Sequence, residues 1–528
     1  MILRIMPFFR MIRAGMVMAR EGVFGLVEVP DLPTIPRLGL RFIRIFERRS
    51  TANAEAGARI SAALNRLGPS YVKLGQFLAT RPDLVGKDVA VGLKALQDRL
   101  PPFSQEQALK AVEESFGQSV DSIFEEFEDP VAAASIAQVH PAIVTDADGS
   151  TKKVAVKILR PGVAARFKRD LQSFYLAARL VEALHPPSRR LRPVAVVDTL
   201  ARSVALEMDF RLEAAALSEM AENTSDDPGF RVPGVDWTRS SKTILTMDWI
   251  EGRKLSDVDG ILSDGHDGRM LGAVIIQSFL RHALRDGFFH ADMHQGNLFL
   301  EPDGTLVAVD FGITGRLGKS ERRFLAEILF GFITRNYRRV AEVHFEAGYV
   351  PSSQDPDVFA QAIRAIGEPI HGHSASEISM ARLLTQLFEV TDLFDMQTQT
   401  QLIMLQKTMV VVEGVARTLD PDLDMWRTAE PVVREWIERH LGPAGRLEDA
   451  SSGLSALARL VGDLPILADR ASRISDELES MTLNGIRFDE ATAEAIGKAE
   501  ARHTRSGRIA LWIIAASMVV IAITNIMA

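Results

Sequence analysis

The sequence predicts an α+β protein: a helical N-terminal stretch, a central region that carries a sheet, and a long helical remainder. Three observations carry this. Residues 40 to about 125 place apolar side chains at three- and four-residue spacing, with breaks at Gly68-Pro69, Arg81-Pro82 and Pro101-Pro102. From Asp129 the texture changes to short β-branched or apolar runs separated by turn signals, and beyond about residue 318 the helical pattern returns. The 528 residues allow about three to four domain-sized units. With 47% apolar and 25% charged residues, there is ample material for a core and no disordered bias. The net charge of -8 leaves no basic excess to argue for nucleic acid. The absence of cysteine excludes disulfides, thiolate metal sites and cysteine nucleophiles.

Taken in order, the first twenty residues carry Arg4, Arg10, Arg13 and Arg20, no acid, and apolar residues between them. The arginines interrupt every apolar run, so no signal-peptide core can form. Such a helix either lies in the headgroup plane of an anionic membrane or covers part of the protein core. Further on, the turn at residues 146–149 precedes an apolar strand, 153–158, that contains Lys157. Strand patterns recur at 241–250, 298–300 and 306–309, the last two flanking the turn Asp303-Gly304. A polar, acidic stretch from 446 to about 505 reads as a helical connector. Residues 509–528 contain no charge and follow Arg502, Arg505 and Arg508. As a helix they are about 30 Å long, the thickness of a bilayer core. The expectation is a membrane anchor with the preceding chain in the cytoplasm, the alternative being a buried C-terminal helix.

The chemistry lies in residues whose order matters more than any one of them. Val154-Ala155-Val156-Lys157 has the form of the strand lysine that holds ATP phosphates in kinases. Downstream, His290-Ala291-Asp292 is followed by Asn297, with Asp and Asn five apart as in a kinase catalytic loop, and then by Asp310-Phe311-Gly312. Together they offer a phosphate-binding cation, a base or orienting group, and two oxygen ligands, Asn297 and Asp310, suited to Mg2+. In place of a glycine-rich loop, residues 132–140 read Ala-Ala-Ala-Ser-Ile-Ala-Gln-Val-His. Alanine methyls limit how closely a backbone approaches phosphate, so the nucleotide is expected to sit differently from that of a protein kinase. No Ala-Pro-Glu string follows Asp310, and only residues 313–319 precede the next helical run, so the usual peptide platform is not expected.

These residues resemble the UbiB (AarF-like) family of atypical, protein-kinase-like proteins connected with ubiquinone biosynthesis. The hallmark Lys-x-Gly-Gln stands at Lys73-Leu74-Gly75-Gln76, and a Glu-x-Asp motif at Glu207-Met208-Asp209. The glutamate that pairs with the strand lysine matches Glu213. The catalytic-loop string reads His290-Ala291-Asp292-Met293-His294-Gln295-Gly296-Asn297, with Met293 and Gln295 in place of two family prolines.

The resemblance implies a two-lobed kinase-like fold with ATP and Mg2+ as cofactors. Nucleotide contacts would come from Ala134, Ser135, Ile136, Ala137, Gln138, Val139, Lys157 and Asp248. Asp292, Lys157 and Glu213 would carry the chemistry, and Lys73 and Gln76 would fold across the pocket with Glu207 and Asp209 nearby. The implied division is a basic amphipathic membrane-associated segment (1–39), a helical extension (40–128), an N-lobe (129–250), a C-lobe (251–445), a connector (446–507) and a transmembrane helix (508–528). The expected location is the inner, cytoplasmic membrane of a bacterium. Expected partners are the lipid membrane, quinone-precursor phenols or lipids, and ubiquinone biosynthesis proteins, with a homodimer allowed and no nucleic acid. The function implied is an ATPase or a kinase acting on a small or lipid substrate. The alternatives are a polyprenylphenol hydroxylase, in which His290, Asp292 and His344 would hold iron, and a non-catalytic nucleotide-sensing scaffold.

Overall fold

In the computed structural model the described residues are 2–26, 56–79, 101–372 apart from a few loop positions near 147 and 185–190, and 400–442, with scattered positions in 85–93 and 390–396. The chain divides into two compact units, Met1–Ile437 and Glu438–Ala528, and every sheet and site residue below belongs to the first. The helices of the N-terminal part are α1 (Ile2–Arg20), α2 (Ala56–Leu67), α3 (Pro69–Ala79) and α4 (Gln105–Phe116). Strands β1 (Glu126–Phe127), β2 (Ala132–Ala133), β3 (Ala137–Thr145) and β4 (Thr151–Leu159) follow. Three helices then intervene, α5 (Val163–Leu184), α6 (Pro193–Glu207) and α7 (Phe210–Asn223), before β5 (Phe230–Arg231), β6 (Ile244–Asp248) and β7 (Arg253–Lys254).

The C-terminal part begins with α8 (Val258–Ser263) and α9 (Gly268–Arg281), followed by β8 (Phe288–His290), β9 (Leu298–Leu300), β10 (Leu306–Ala308) and β11 (Thr314–Arg316). It ends in α10 (Lys319–Ile333), α11 (Tyr337–Glu346), α12 (Pro356–Gly372), α13 (Thr400–Leu419) and α14 (Met425–Leu441).

The first sheet has the order β1-β3-β4-β6, with β2 also on β3, and all its pairings are antiparallel. β3 and β4 pair from Ala137↔Leu159 to Thr145↔Thr151 around a turn in which Gly149 takes φ +81°. Side chains alternate across a strand, so Val154, Val156 and Ile158 share one face of β4. All three are fully buried, with Ala142, Val144 and Ile244, against Ala108 and Val112 of α4. At ~1.5–3 kcal/mol per buried aliphatic side chain, this layer holds the sheet to its helix. α4 is closed at one end by Ser104, whose hydroxyl accepts from Gln107 N, and at the other by Gly117 at φ +70°. Lys157, between Val156 and Ile158, therefore projects from the opposite face.

A second sheet, β5-β10-β9-β7, and the two-stranded pair β8–β11 position the remaining site residues. Phe289 lies opposite Gly315 in the β8–β11 pair, and a Cβ on Gly315 would fall 2.1 Å from the Phe289 ring. That close approach brings the loop after β8 beside the loop after β10.

The helix break expected at Gly68-Pro69 is present: Gly68 takes φ +98° between α2 and α3. The range 129–250, expected as a kinase-like N-lobe, contains β2 to β6 and also α5, α6 and α7, which occupy most of 163–223. α5 is amphipathic and buries Phe167, Phe174 and Ala178, a helical period set between the stronger strand signals. α1 takes the core-covering place that was one of the two expectations for the N-terminus. It packs against α5 and α2 and buries Ala14 and Ala19, while Met6, Phe8, Phe9, Ile12 and Met16 stay exposed. Among the described residues no helix is long and apolar enough to cross a membrane. The connector 446–507 and the anchor 508–528 lie outside the described residues.

Candidate nucleotide site

The face of β4 turned away from α4 presents Lys157, whose Nζ lies 2.7 Å from Glu213 Oε1 on α7 and 3.3 Å from Asp310 Oδ1. Glu213 reaches it because Asp209, in extended conformation, caps α7 and sets the glutamate in the first turn. Phe210 of the same turn puts its ring 5.4 Å beneath the ammonium. Burial works against the charge of Lys157, but Asp310 and Glu213 hold its pKa well above the ordinary lysine value. The ammonium beside it in turn holds Asp310 below the usual carboxylate range, against the effect of burial. Burial pushes Glu213 up to about 7; Lys157 opposes that shift, and the charges of Asp310 and Glu207 reinforce it.

The loop after β8 is built on His290. Its Nδ1 accepts from the main-chain N of Asp292 at 3.0 Å, which makes Nε2 the donor to Val309 O at 3.0 Å. Burial lowers its pKa, so the ring stays neutral and keeps this tautomer. Phe311 leans on it with the rings tilted at 48° and 4.6 Å between centroids, bracing the chain next to Asp310. Asp310 takes φ +63°, a left-handed conformation that Asp tolerates better than most residues. Asn297 Nδ2 donates to Asp292 O at 3.1 Å, which leaves its amide oxygen as the atom able to meet a cation. An amide oxygen and an ionised carboxylate are the hard oxygen donors that magnesium prefers.

Several expected site residues stand elsewhere. Gln138 lies on the face of β3 away from Lys157, by the same alternation that buries Val156. Its amide accepts from Phe103 N at 2.9 Å and contacts His140 Nε2 at 2.7 Å, so its side chain braces α4 rather than a nucleotide. Asp248 opposes Val154, again on the far face, and accepts from Gly234 N at 3.0 Å. Ala137 and Val139 share Lys157's face, and Ser135 is fully buried. Ala134, Ser135, Ile136 and Ala137 form a tight turn in which Ala134 N donates to Ala137 O at 2.8 Å. Arg160, which no local sequence pattern marks, clamps this turn: its main-chain N donates to Ile136 O at 2.7 Å and its guanidinium to Ala134 O at 3.3 Å and Pro101 O at 3.0 Å.

Lys73 Nζ sits 2.5 Å from Glu207 Oε2, tying α3 to the end of α6, and the Ser203 hydroxyl supports the same carboxylate at 3.3 Å. Asp209 instead pairs with Arg211. Gln76 is half-buried one turn along from Lys73 on α3. The two-histidine iron arrangement does not form. Both ring nitrogens of His290 are occupied, and His344 is buried inside α11 with Nδ1 against Val340 O, its ring on Phe359. Among the described residues no group of three or more His, Asp or Glu is arranged to hold a metal ion.

Residues 95–344 match the family described as ABC1 atypical kinase-like domain, and residues 363–424 the UbiB helical domain. A "probable protein kinase UbiB" of Marinobacter nauticus is 36% identical over 521 residues, spanning 97% of this chain and 93% of that protein. The chain belongs to the UbiB family. UbiB relatives of the same description in Aeromonas hydrophila and Pseudomonas fluorescens are 37% and 36% identical, covering 83% and 88% of this chain and 80% and 88% of their own. A solved structure, the complex of Rv3197 with erythromycin from Mycobacterium tuberculosis, aligns with a TM-score of 0.50. It covers 76% of this chain and 98% of that one at 22% identity, a likeness of fold alone. The UbiB fold here is therefore an atypical kinase-like domain of α+β class followed by the family's helical domain.

Proposed function

We propose that this UbiB-family chain binds Mg-ATP between β4 and the loops after β8 and β10, and hydrolyses it or phosphorylates a small or lipid substrate in support of ubiquinone biosynthesis. The observation that carries this reading is the Lys157–Glu213–Asp310 ionic cluster beside Asn297 and Asp292. Lys157 would grip phosphate while Glu213 holds its stem in place. Asn297 and Asp310 would hold magnesium, which when bound supplies charge screening for the phosphate oxygens. Asp292, half-exposed on a braced loop, would orient the nucleophile or take its proton. Lys73, with Gln76 on the same helix, would hold α3 across the pocket. The short β11 and the immediate start of α10 leave little room for a peptide platform, which favours a small acceptor.

Membrane contact belongs to the same proposal. The outer face of α1 combines five exposed apolar side chains with exposed Arg13 and Arg20, the composition of a helix that rests on anionic lipid. Residues 508–528 would add a single-pass anchor in the inner membrane, with the catalytic part on the cytoplasmic side.

The test is ATP turnover and nucleotide-dependent thermal stabilisation of the full chain, with and without anionic liposomes and a quinone-precursor phenol. Wild type should be stabilised by Mg-ATP and turn it over faster with lipid. Lys157→Ala should weaken nucleotide binding at least tenfold. Asp310→Asn, whose amide tolerates the same left-handed backbone, should lose at least a hundredfold in turnover with its melting temperature unchanged. A wild type that binds no adenine nucleotide sinks the reading; full turnover in Asp310→Asn removes the metal assignment.

A further inference from the structure

The loop that presents Asp292 is tied together mostly by its own neighbours. His290 bonds Val309 O, Ala291 N donates to Ile313 O at 3.0 Å, and Asn297 bonds Asp292 O. One bond comes from much farther along the chain. The hydroxyl of Thr408 on α13, 1% exposed, lies 3.0 Å from the carbonyl oxygen of Ala291, the residue between His290 and Asp292.

We infer that Thr408 is a positioning residue for Asp292, contributed by the helical domain to the loop of the kinase-like domain. The hydroxyl has one proton and two acceptors in range, Ala291 O and its own helix carbonyl Met404 O at 2.9 Å. The helix carbonyl is the partner that any helical threonine finds, whereas the buried Ala291 carbonyl would be left without this donor. Met293 and Gln295 do not fix a backbone torsion as proline would, so the bond from Thr408 adds an outside support to the local bonds around Asp292. α13 is a firm support. It lies close along α9, where a Cβ on Gly272 would approach Ala416 O to 3.3 Å, and it also packs near β11. A small displacement of a group that orients a nucleophile costs rate far more than affinity.

This inference rests on the proposed role of Asp292, so its test carries a readout that does not need turnover. In the full chain, Thr408→Val keeps the shape and removes the donor, while Thr408→Ser keeps the donor. Thr408→Val should lower kcat about tenfold with the KM for ATP within twofold, and Thr408→Ser should remain near wild type. Amide hydrogen exchange over residues 288–297 should accelerate at least fivefold in Thr408→Val and stay at the wild-type rate in Thr408→Ser. The inference is overturned if Thr408→Val matches wild type in exchange, or if Val and Ser variants lose stability and rate together. Should wild type show no turnover, the proposed function fails, and the exchange comparison alone still decides whether Thr408 holds the loop.

Discussion

At the scale of single residues, Glu213 is the group whose environment makes the most specific claim. A carboxyl that titrates near 4.5 when unfolded is pushed up to about 7 in the fold, chiefly by burial, although an ammonium sits 2.7 Å away. Its contribution to stability is therefore fully present below pH 4.5 and is lost as pH rises through 7. Glu213→Gln removes that titration. Between pH 4.5 and pH 8, the stability of the variant relative to wild type should rise by on the order of 3 kcal/mol, taking ~1.4 kcal/mol per pH unit. Chemical denaturation at both pH values measures this, and a difference that does not change with pH would remove the buried ionised carboxylate from the account. His290 teaches a related lesson. Only the hydroxylase alternative made it an iron ligand, and two main-chain hydrogen bonds and a neutral ring make it a brace.

At the scale of elements, β4 does two jobs through its alternation. Val154, Val156 and Ile158 seal one face against α4, and Lys157 takes the other. The same rule turns Gln138 and Asp248 away from the face that carries Lys157, which their positions along the chain could not reveal. Gln138→Ala should cost about 1–3 kcal/mol, because Phe103 N and His140 lose a buried partner. Affinity for Mg-ATP should stay within twofold of wild type in that variant. A tenfold loss of affinity at unchanged melting temperature would return the Gln138 side chain to the nucleotide site.

For the molecule as a whole, the N-terminal extension is joined to the kinase-like domain through Lys73 and Glu207, both largely buried. Glu207 also acts on the charge of Glu213, so the extension and the Lys157–Glu213 pair share one electrostatic cluster. Lys73→Met strands the Glu207 carboxylate and should destabilise the protein by about 3 kcal/mol, with faster hydrogen exchange in α3. Adding Glu207→Gln should restore most of that loss, because the uncompensated charge goes with it. Strictly additive effects in the double variant would mean that the two side chains do not act as a pair.

Much of this was legible along the chain. Hydrophobic periodicity located the strand around Lys157, and the hairpin of residues 298–309 announced itself by Asp303-Gly304. The order Lys157, Asp292, Asn297, Asp310 specified the chemical types of the proposed phosphate and metal site, because each is a local pattern with its own spacing. What the sequence by itself could not decide was which side chains meet: that Glu213 lies against Lys157, that Gln138 faces the core, and that Thr408 reaches across 117 residues to Ala291. Those outcomes depend on strand register and helix packing. Both are set by burying whole apolar faces together, and no window of neighbouring residues contains that information.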